Sequence, residues 1–314
     1  MIVVCQHCET RYSVAEEKVK GSRFLARCTR CGNIFSAYRP VSVQQIEFLD
    51  LDGARTAKRA HVTTVSNQKG GVAKTSTTLN LGAALAAAGQ KVLLVDFDIQ
   101  ANLSLSLGVR EGRSFYDVVK DRERSLTSAI RTTTIPNLFL LPSNKGMILL
   151  NKKFFHAENY EYMLVDRLQF ISDQYDHILV DTPPSVDLFA LNALTAAGRV
   201  IIPCQCDFLS THGVDQILRL IEMIRGKTNP GIQAQVLVTM FDETSAASQM
   251  ISQKIQGMYP TQIFSSRIPY DNKVKEAQIM GKPVMHYDPA SKAGRAYTQL
   301  AKEVCQRRPV AVAN

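Results

Sequence analysis

From residue 61 onward the chain alternates short apolar runs with longer stretches of helical period. The runs Val62–Ser66, Val92–Asp96, Leu138–Leu141, His177–Asp181, Val200–Gln205, Val236–Met240 and Gln262–Ser265 read as strands. Lys74–Ala88, Tyr160–Gln174, Val186–Ala197, Gly213–Gly226, Ala246–Tyr259, Asn272–Met280 and Ser291–Arg307 read as helices. The stretch Leu79–Ala88 is Ala-rich and stops at Gly89, as a buried helix would. Such βα alternation predicts an α/β fold, a mostly parallel sheet covered by helices on both faces. Sheets of this kind bind ligands beyond the C-terminal ends of their strands. The chain carries no internal repeat and no low-complexity segment.

The first 40 residues follow another pattern. Short apolar–polar alternations at Tyr12–Val14 and Phe24–Ala26 lie between two pairs of cysteines, Cys5/Cys8 and Cys28/Cys31. Each C-x2-C turn can aim two thiolates at one tetrahedral Zn2+, and two such turns close a four-sulfur site. A unit this small cannot bury a self-sufficient core, so a metal would supply the missing stability. Gly32 follows the second pair, where a backbone curling round a metal needs conformational freedom. His7 sits inside the first turn as a bystander, because four cysteines already fill the site. The alternative is four free or redox-active thiols. Residues 41–60 have mixed charge and no strong period, and read as a linker. The expected organisation is a zinc ribbon over 1–40, a linker over 41–60 and an α/β domain over 61–314.

Composition narrows the classes. Of 314 residues, 45% are hydrophobic and 21% charged, which excludes disorder, collagen and coiled coil for the whole chain. The first residues lack the basic and apolar regions of a secretory signal. No run reaches the roughly 18–20 apolar residues of a membrane span, and the C-terminal RRPVAVAN is too short and Pro-broken for an amphipathic anchor. These features predict a cytoplasmic protein, in which paired cysteines mean metal more often than disulfide. The net charge of +9 points to a polyanionic partner. The ribbon holds seven Lys/Arg against three acidic residues, +4; the linker balances to zero, so +5 falls to the larger domain.

The strongest chemical signal is the segment Ser66-Asn67-Gln68-Lys69-Gly70-Gly71-Val72-Ala73-Lys74-Thr75-Ser76, between a strand and a helix. Backbone N–H groups of a Gly-rich turn, with a helix N-terminus, cradle phosphate. Lys74 would reach the β- and γ-phosphates and Thr75 would ligate Mg2+. The standard P-loop is not met, since Gln68 and Ala73 stand where it asks for glycine. An additional lysine, Lys69, precedes the glycines. Asp96 and Asp181 close two of the strands.

Read with Ser66–Gln68 before it, Lys69–Thr75 resembles the deviant Walker A box of the ParA/Soj/MinD ATPases, which are P-loop NTPases. Asp96–Asn102 resembles that family's D-x-D-x-Q-x-N stretch, His177–Pro184 its Walker B strand, and Ile201–Phe208 its I-P-x-Q-x-x-x-F segment. Further matches run through Thr239–Asp242, Ile268–Asp271, Glu276–Ala277 and Gly281–Val284, so the likeness spans residues 61 to about 305. It implies a slow, Mg-dependent, partner-stimulated ATP hydrolase in which Gly70, Gly71, Val72, Ala73, Lys74, Thr75 and Ser76 hold the nucleotide. Thr75 and, through water, Asp181 would hold Mg2+. Lys69 would reach across an ATP-dependent sandwich dimer to the partner's nucleotide, and Asp98 would orient the attacking water. Asp96 would support the metal shell. Met240, Pro269 and Asp271 would lie near adenine, although Met240 reads equally well as core.

The same resemblance implies non-specific DNA binding by the dimer, a ParB-like or other stimulating partner, nucleoid association, and a cargo that is a chromosome, plasmid or protein assembly. Arg219, Arg267, Lys273 and Lys275, with Arg225 and Lys227, are the basic residues available late in the chain; Tyr270 stands where that loop often has Arg. The alternative is a nucleotide-switched transcriptional or assembly regulator that uses the ribbon to bind DNA or protein. A third reading, a metal-handling ATPase, would need exposed thiols, and Cys204, Cys206 and Cys305 read as buried ones.

Overall fold

The computed structural model describes residues 2–5, 7–8, 10–15, 23–38, 59–154, 157–207 and 210–306. The chain divides into two compact units, Met1–Thr56 and Ala57–Asn314. The expected linker lies outside the described residues except for Arg59 and Ala60. Ala60 N–H already donates to Ser172 O, which ties the entry of the second unit to its body.

The first unit contains two antiparallel hairpins. β1 (Ile2–Val4) pairs with β2 (Arg11–Ser13), and β3 (Arg23–Arg27) with β4 (Ile34–Tyr38). The sequence alternations at residues 12–14 and 24–26 marked one strand of each. A cysteine pair sits at the turn of each hairpin, and Val3, Cys5 and Cys28 form the small buried centre.

In the second unit, eight strands form one sheet: β5 (His61–Val65), β6 (Val92–Asp96), β7 (Arg131–Thr132), β8 (Leu138–Leu141), β9 (His177–Asp181), β10 (Arg199–Gln205), β11 (Gln233–Phe241) and β12 (Ile263–Pro269). The order is β12-β11-β10-β5-β9-β6-β8-β7, parallel except for the edge strand β7. The central strands are buried on both faces, which is why continuous apolar runs located them so closely.

The helices are α1 (Lys74–Ala87), α2 (Asn102–Ser106), α3 (Phe115–Lys120), α4 (Met147–Phe154), α5 (Val165–Leu168), α6 (Leu188–Ala196), α7 (Ser210–Lys227), α8 (Ala246–Met258), α9 (Asn272–Ile279), α10 (Val284–Tyr287) and α11 (Lys292–Gln306). Helices α1 and α11 pack on one face, against Leu94, Leu138, Leu179 and Ile201. On the other face, Leu93, Val95, Ile178 and Val180 meet α3–α6, while Val200, Ile202, Val236 and Val238 meet α6–α8.

The single helix expected over Tyr160–Gln174 is broken. Asn159 adopts a left-handed conformation (φ 58°), a 3-10 turn covers Tyr160–Tyr162, and only Val165–Leu168 is α-helical. The cause is Asn192, fully buried on α6. Its side chain donates to Tyr160 O at 2.8 Å and accepts from Leu164 N–H at 3.0 Å. Those two groups would bond each other in a continuous helix.

Gly82 sets how closely α1 approaches the sheet. A Cβ there would lie 2.5 Å from Leu94 Cδ2 and about as tightly as packing allows, 3.4 Å, from Leu179 Cδ1, both on buried side chains. Gly82→Val should therefore lower the unfolding free energy by about 1–3 kcal/mol. Urea denaturation would read this loss; an unchanged midpoint would show that the helix can back away freely.

Candidate functional site

Three strands deliver the site. β5 ends at Val65 and runs into the glycine turn, which opens α1. β6 and β9 lie side by side, with Asp96 and Asp181 in register at their C-terminal ends.

The turn has the backbone that a phosphate cradle requires. Gly71 is left-handed (φ 74°), and so is Ala73 (φ 68°), the residue just before α1. A Cβ at Gly70 or Gly71 would meet nothing within 4 Å, so the space over the loop is open. Ala73 holds a conformation that glycine would adopt at lower cost. Val72 is buried, and its carbonyl accepts from the Thr239 hydroxyl at 3.2 Å. The Ser76 hydroxyl accepts from the Gln278 amide at 2.9 Å, which joins α1 to α9.

Lys74 is buried, and its ammonium donates to the Lys69 carbonyl across the loop at 3.0 Å. Burial lowers its pKa, opposed by the charges of Asp181 and Asp98. The Thr75 hydroxyl donates to Asp181 Oδ2 at 2.7 Å, and the Thr78 hydroxyl donates to Oδ1 at 3.3 Å. A hydroxyl and a carboxylate side by side are the hard oxygen donors that Mg2+ takes.

The two aspartates of the Asp96–Asn102 stretch are separated by environment. Asp96 Oδ2 accepts from Ser104 N–H at 2.8 Å and from its hydroxyl at 2.7 Å, and Oδ1 accepts from Asp98 N–H at 3.2 Å. Burial pushes its pKa up to about 6. Both oxygens thus bond the turn that carries Asp98. Asp98 is 6% exposed; its Oδ1 accepts from Gln100 N–H at 2.9 Å.

Lys69 has a resting partner that the sequence did not signal. Its ammonium lies 2.7 and 2.6 Å from the Asp207 carboxylate oxygens and 3.0 Å from Ser210 Oγ, at the start of α7. The ion pair lowers the Asp207 pKa against its desolvation. Asn67 braces the arrangement: it accepts from Lys69 N–H at 2.9 Å and donates to Pro203 O at 2.8 Å. A Cβ at Gly213 would stand 2.7 Å from Asn67 Oδ1. Asp207 lies in the quoted Ile201–Phe208 segment, but 138 positions from Lys69 no local signal joins them.

Met240, half-buried near the end of β11, is left-handed (φ 51°), and Pro269 ends β12. Asp271 caps α9: Oδ1 accepts from Lys273 N–H and Oδ2 from Ala293 N–H, at 2.9 and 3.1 Å. The basic candidates are spread over α7, β12 and α9. Arg219 is exposed on α7. The Arg267 guanidinium lies 5.2 Å from the Phe241 ring centre. Lys273 pairs with Glu276 at 2.7 Å, and Lys275 stands over Tyr270. Arg225 bonds Glu222.

In the first unit, the Cys5, Cys8, Cys28 and Cys31 sulfurs all lie within 4.8 Å of one another. Cys5–Cys31 and Cys8–Cys28 are 3.7 and 3.5 Å apart. Tetrahedral zinc with bonds of about 2.3 Å sets its sulfurs roughly 3.8 Å apart, so the thiols fit that ion. Gly32 is left-handed (φ 74°), and its N–H donates to Cys28 O. His7 is exposed.

Burial pushes the Asp181 carboxyl up to about 8. The neighbouring Asp96 charge adds to the rise, while the Thr75 hydroxyl and Lys74 oppose it. A carboxyl raised this way favours folding when protonated. That contribution is complete below about pH 4 and is lost as pH climbs to about 8. Without nucleotide or metal, Asp181→Asn should melt above wild type at alkaline pH, and the gain should vanish toward pH 4. A pH series of melting temperatures would read it, and a constant difference would count against the buried-charge account.

A family model described as an AAA domain matches residues 60–234, and a zinc-ribbon domain model matches residues 1–36. The chain is 35% identical over 258 residues to the chromosome partitioning protein ParA of Caulobacter vibrioides, covering 80% of this chain and 96% of that one. It is 35% identical over 242 residues to the chromosome-partitioning ATPase Soj of Treponema pallidum, covering 77% and 95%. The cobyrinic acid a,c-diamide synthase of Mycobacterium smegmatis, solved with ADP and magnesium, superimposes with a TM-score of 0.68 at 32% identity over 77% of this chain and 93% of that one. The strand-end acids, the lysine-flanked glycine turn and these likenesses agree: the chain belongs to the ParA/Soj group of deviant Walker A ATPases, with a zinc-ribbon domain at its N-terminus.

Proposed function

We propose that this protein is a partitioning ATPase whose ATP-bound form is a sandwich dimer that binds DNA without sequence preference and positions a cargo. The observation that carries this reading is the gathering of Lys74, Thr75, Asp98 and Asp181 at one sheet edge, with Lys69 beside them on the same loop. Thr75 and Asp181 would hold Mg2+, which when bound neutralises charge on the β- and γ-phosphates. Lys74 would release the Lys69 carbonyl and turn to the phosphates. Asp98, on a turn fixed by Asp96, orients the attacking water. Lys69 leaves Asp207 and stabilises charge on the partner's nucleotide, as an arginine finger does. Met240 and the Pro269–Asp271 loop line the base. In the first unit, Cys5, Cys8, Cys28 and Cys31 would hold a structural Zn2+.

A ParB-like protein or another adaptor would stimulate hydrolysis. Among the described residues, no helix is long and apolar enough to cross a membrane. The regulator reading keeps its interest because the ribbon carries +4 of the net charge.

Lys74→Ala should abolish ATP binding in equilibrium titrations. Asp98→Ala, with saturating ATP and Mg2+, should accumulate as a dimer in light scattering after size exclusion; a monomeric Asp98→Ala protein would count strongly against the sandwich mechanism.

DNA binding should be ATP-dependent, equal for unrelated duplexes and steep in salt, since Lys and Arg release condensed counterions. It should survive removal of residues 1–60. Fluorescence anisotropy across salt with ATP, ADP or neither would decide: loss on truncation, or selection of one sequence, would favour the regulator reading.

A further inference from the structure

A cavity lined by described residues lies away from the glycine turn. It has a volume of about 720 Å3 and lies between the ends of α3 and α4 and the segment 157–170. That volume falls in the range of small-molecule pockets. Five cations line it: Lys120, Arg122, Arg124, Lys153 and Arg167. None of the five is in a salt bridge with a described residue. Of the lining acids, Glu123 is already bonded to Arg113 at 2.5 Å and to the Ser128 hydroxyl. Glu158 and Asp166 are left against five positive charges.

Arg167 is set in place before any ligand arrives. Its guanidinium lies 5.6 Å from the buried Phe115 ring centre, and Nη1 donates to Met163 O at 2.9 Å. Its Nε is buried and has no hydrogen-bond partner. Burial lowers the Arg167 pKa, opposed by Asp166. A half-buried guanidinium that lines a cavity has the chemistry to take a phosphate or carboxylate. Aromatic surface lies beside it: Phe154 and Tyr160 line the cavity, and Phe170, 46% exposed, forms one wall.

We propose that this cavity is a second ligand site that takes a small phosphate-bearing aromatic molecule, a mononucleotide in chemistry. The cations hold its phosphates and the aromatic wall holds its ring. The proposal is independent of the ATPase reading, because none of the lining residues belongs to the sheet edge that carries Lys74 and Asp181.

The test uses the full-length chain carrying Lys74→Ala, titrated with GDP by isothermal calorimetry. The expected result is saturable 1:1 binding, about tenfold weaker or worse when Lys153→Gln and Arg167→Gln are added. Ribose 5-phosphate should bind more weakly than GDP. Because Arg167 is half-buried, Lys120→Gln with Arg124→Gln and Lys153→Gln, all exposed, should reproduce the loss with the melting temperature held. A nucleotide bound at the glycine turn despite Lys74→Ala would be unaffected by these substitutions, and an unaffected titration overturns the proposal. So do absence of GDP binding at millimolar concentration, equal binding of ribose 5-phosphate, and a loss confined to duplex DNA binding.

Discussion

Asp181 is a fully buried carboxylate at the end of a central strand, and the site is arranged around its charge. A charge removed from water without compensation is costly. Two threonine hydroxyls reach it, while the nearest buried cation, Lys74, spends its ammonium on a backbone carbonyl. Register makes the problem worse, because β6 and β9 pair so that Asp96 ends level with Asp181. The same two-sided burial that stabilises the parallel sheet therefore makes the charged form of Asp181 costly, and its pKa rises to about 8. A cation bound there together with phosphate meets a site already short of positive charge. Packing and function share one cause.

The fold answers part of that strain by dividing labour between neighbouring acids. Asp96 is enclosed by Ser104 and the Asp98 N–H, and burial raises its pKa, so it serves the turn more than the ligand. Asp98, two residues on, accepts from Gln100 N–H through Oδ1 alone among the described residues and stands at the rim of the same edge. Position relative to Ser104, rather than residue type, separates a turn-holding aspartate from one suited to water.

Legibility in the sequence followed burial. Strands buried on both faces announced themselves as apolar runs, and β6, β8 and β9 fall where the pattern put them. The glycine turn was legible because its chemistry is local. The short helices α2, α3, α4 and α10 were not, since four to eight residues give too few turns for a period to register. The broken helix at 160–168 was hidden for a different reason: Asn192 reaches it from α6, and no local pattern reports a side chain arriving from elsewhere. The pairing of Lys69 with Asp207 escaped in the same way. The basic candidates were legible as charges but not as pairs, and Lys273 meets Glu276 only once α9 forms.

How firmly Asp207 holds Lys69 bears on the dimer reading. The two side chains are 29% and 36% exposed, and a pair so accessible to water contributes about 0–1 kcal/mol. Ser210 adds one neutral acceptor. A hold of that size cannot keep Lys69 from a triphosphate, whose several negative oxygens outcompete a single carboxylate. What it does is keep the lysine extended toward α7 and away from Lys74, whose ammonium bonds the Lys69 carbonyl on the same loop. Two free ammonium groups on one short turn would repel each other and blur the loop. Asp207 is thus better understood as a rest for the lysine than as a lock on the monomer, and α7, which starts at that rest, is the element that would feel its departure.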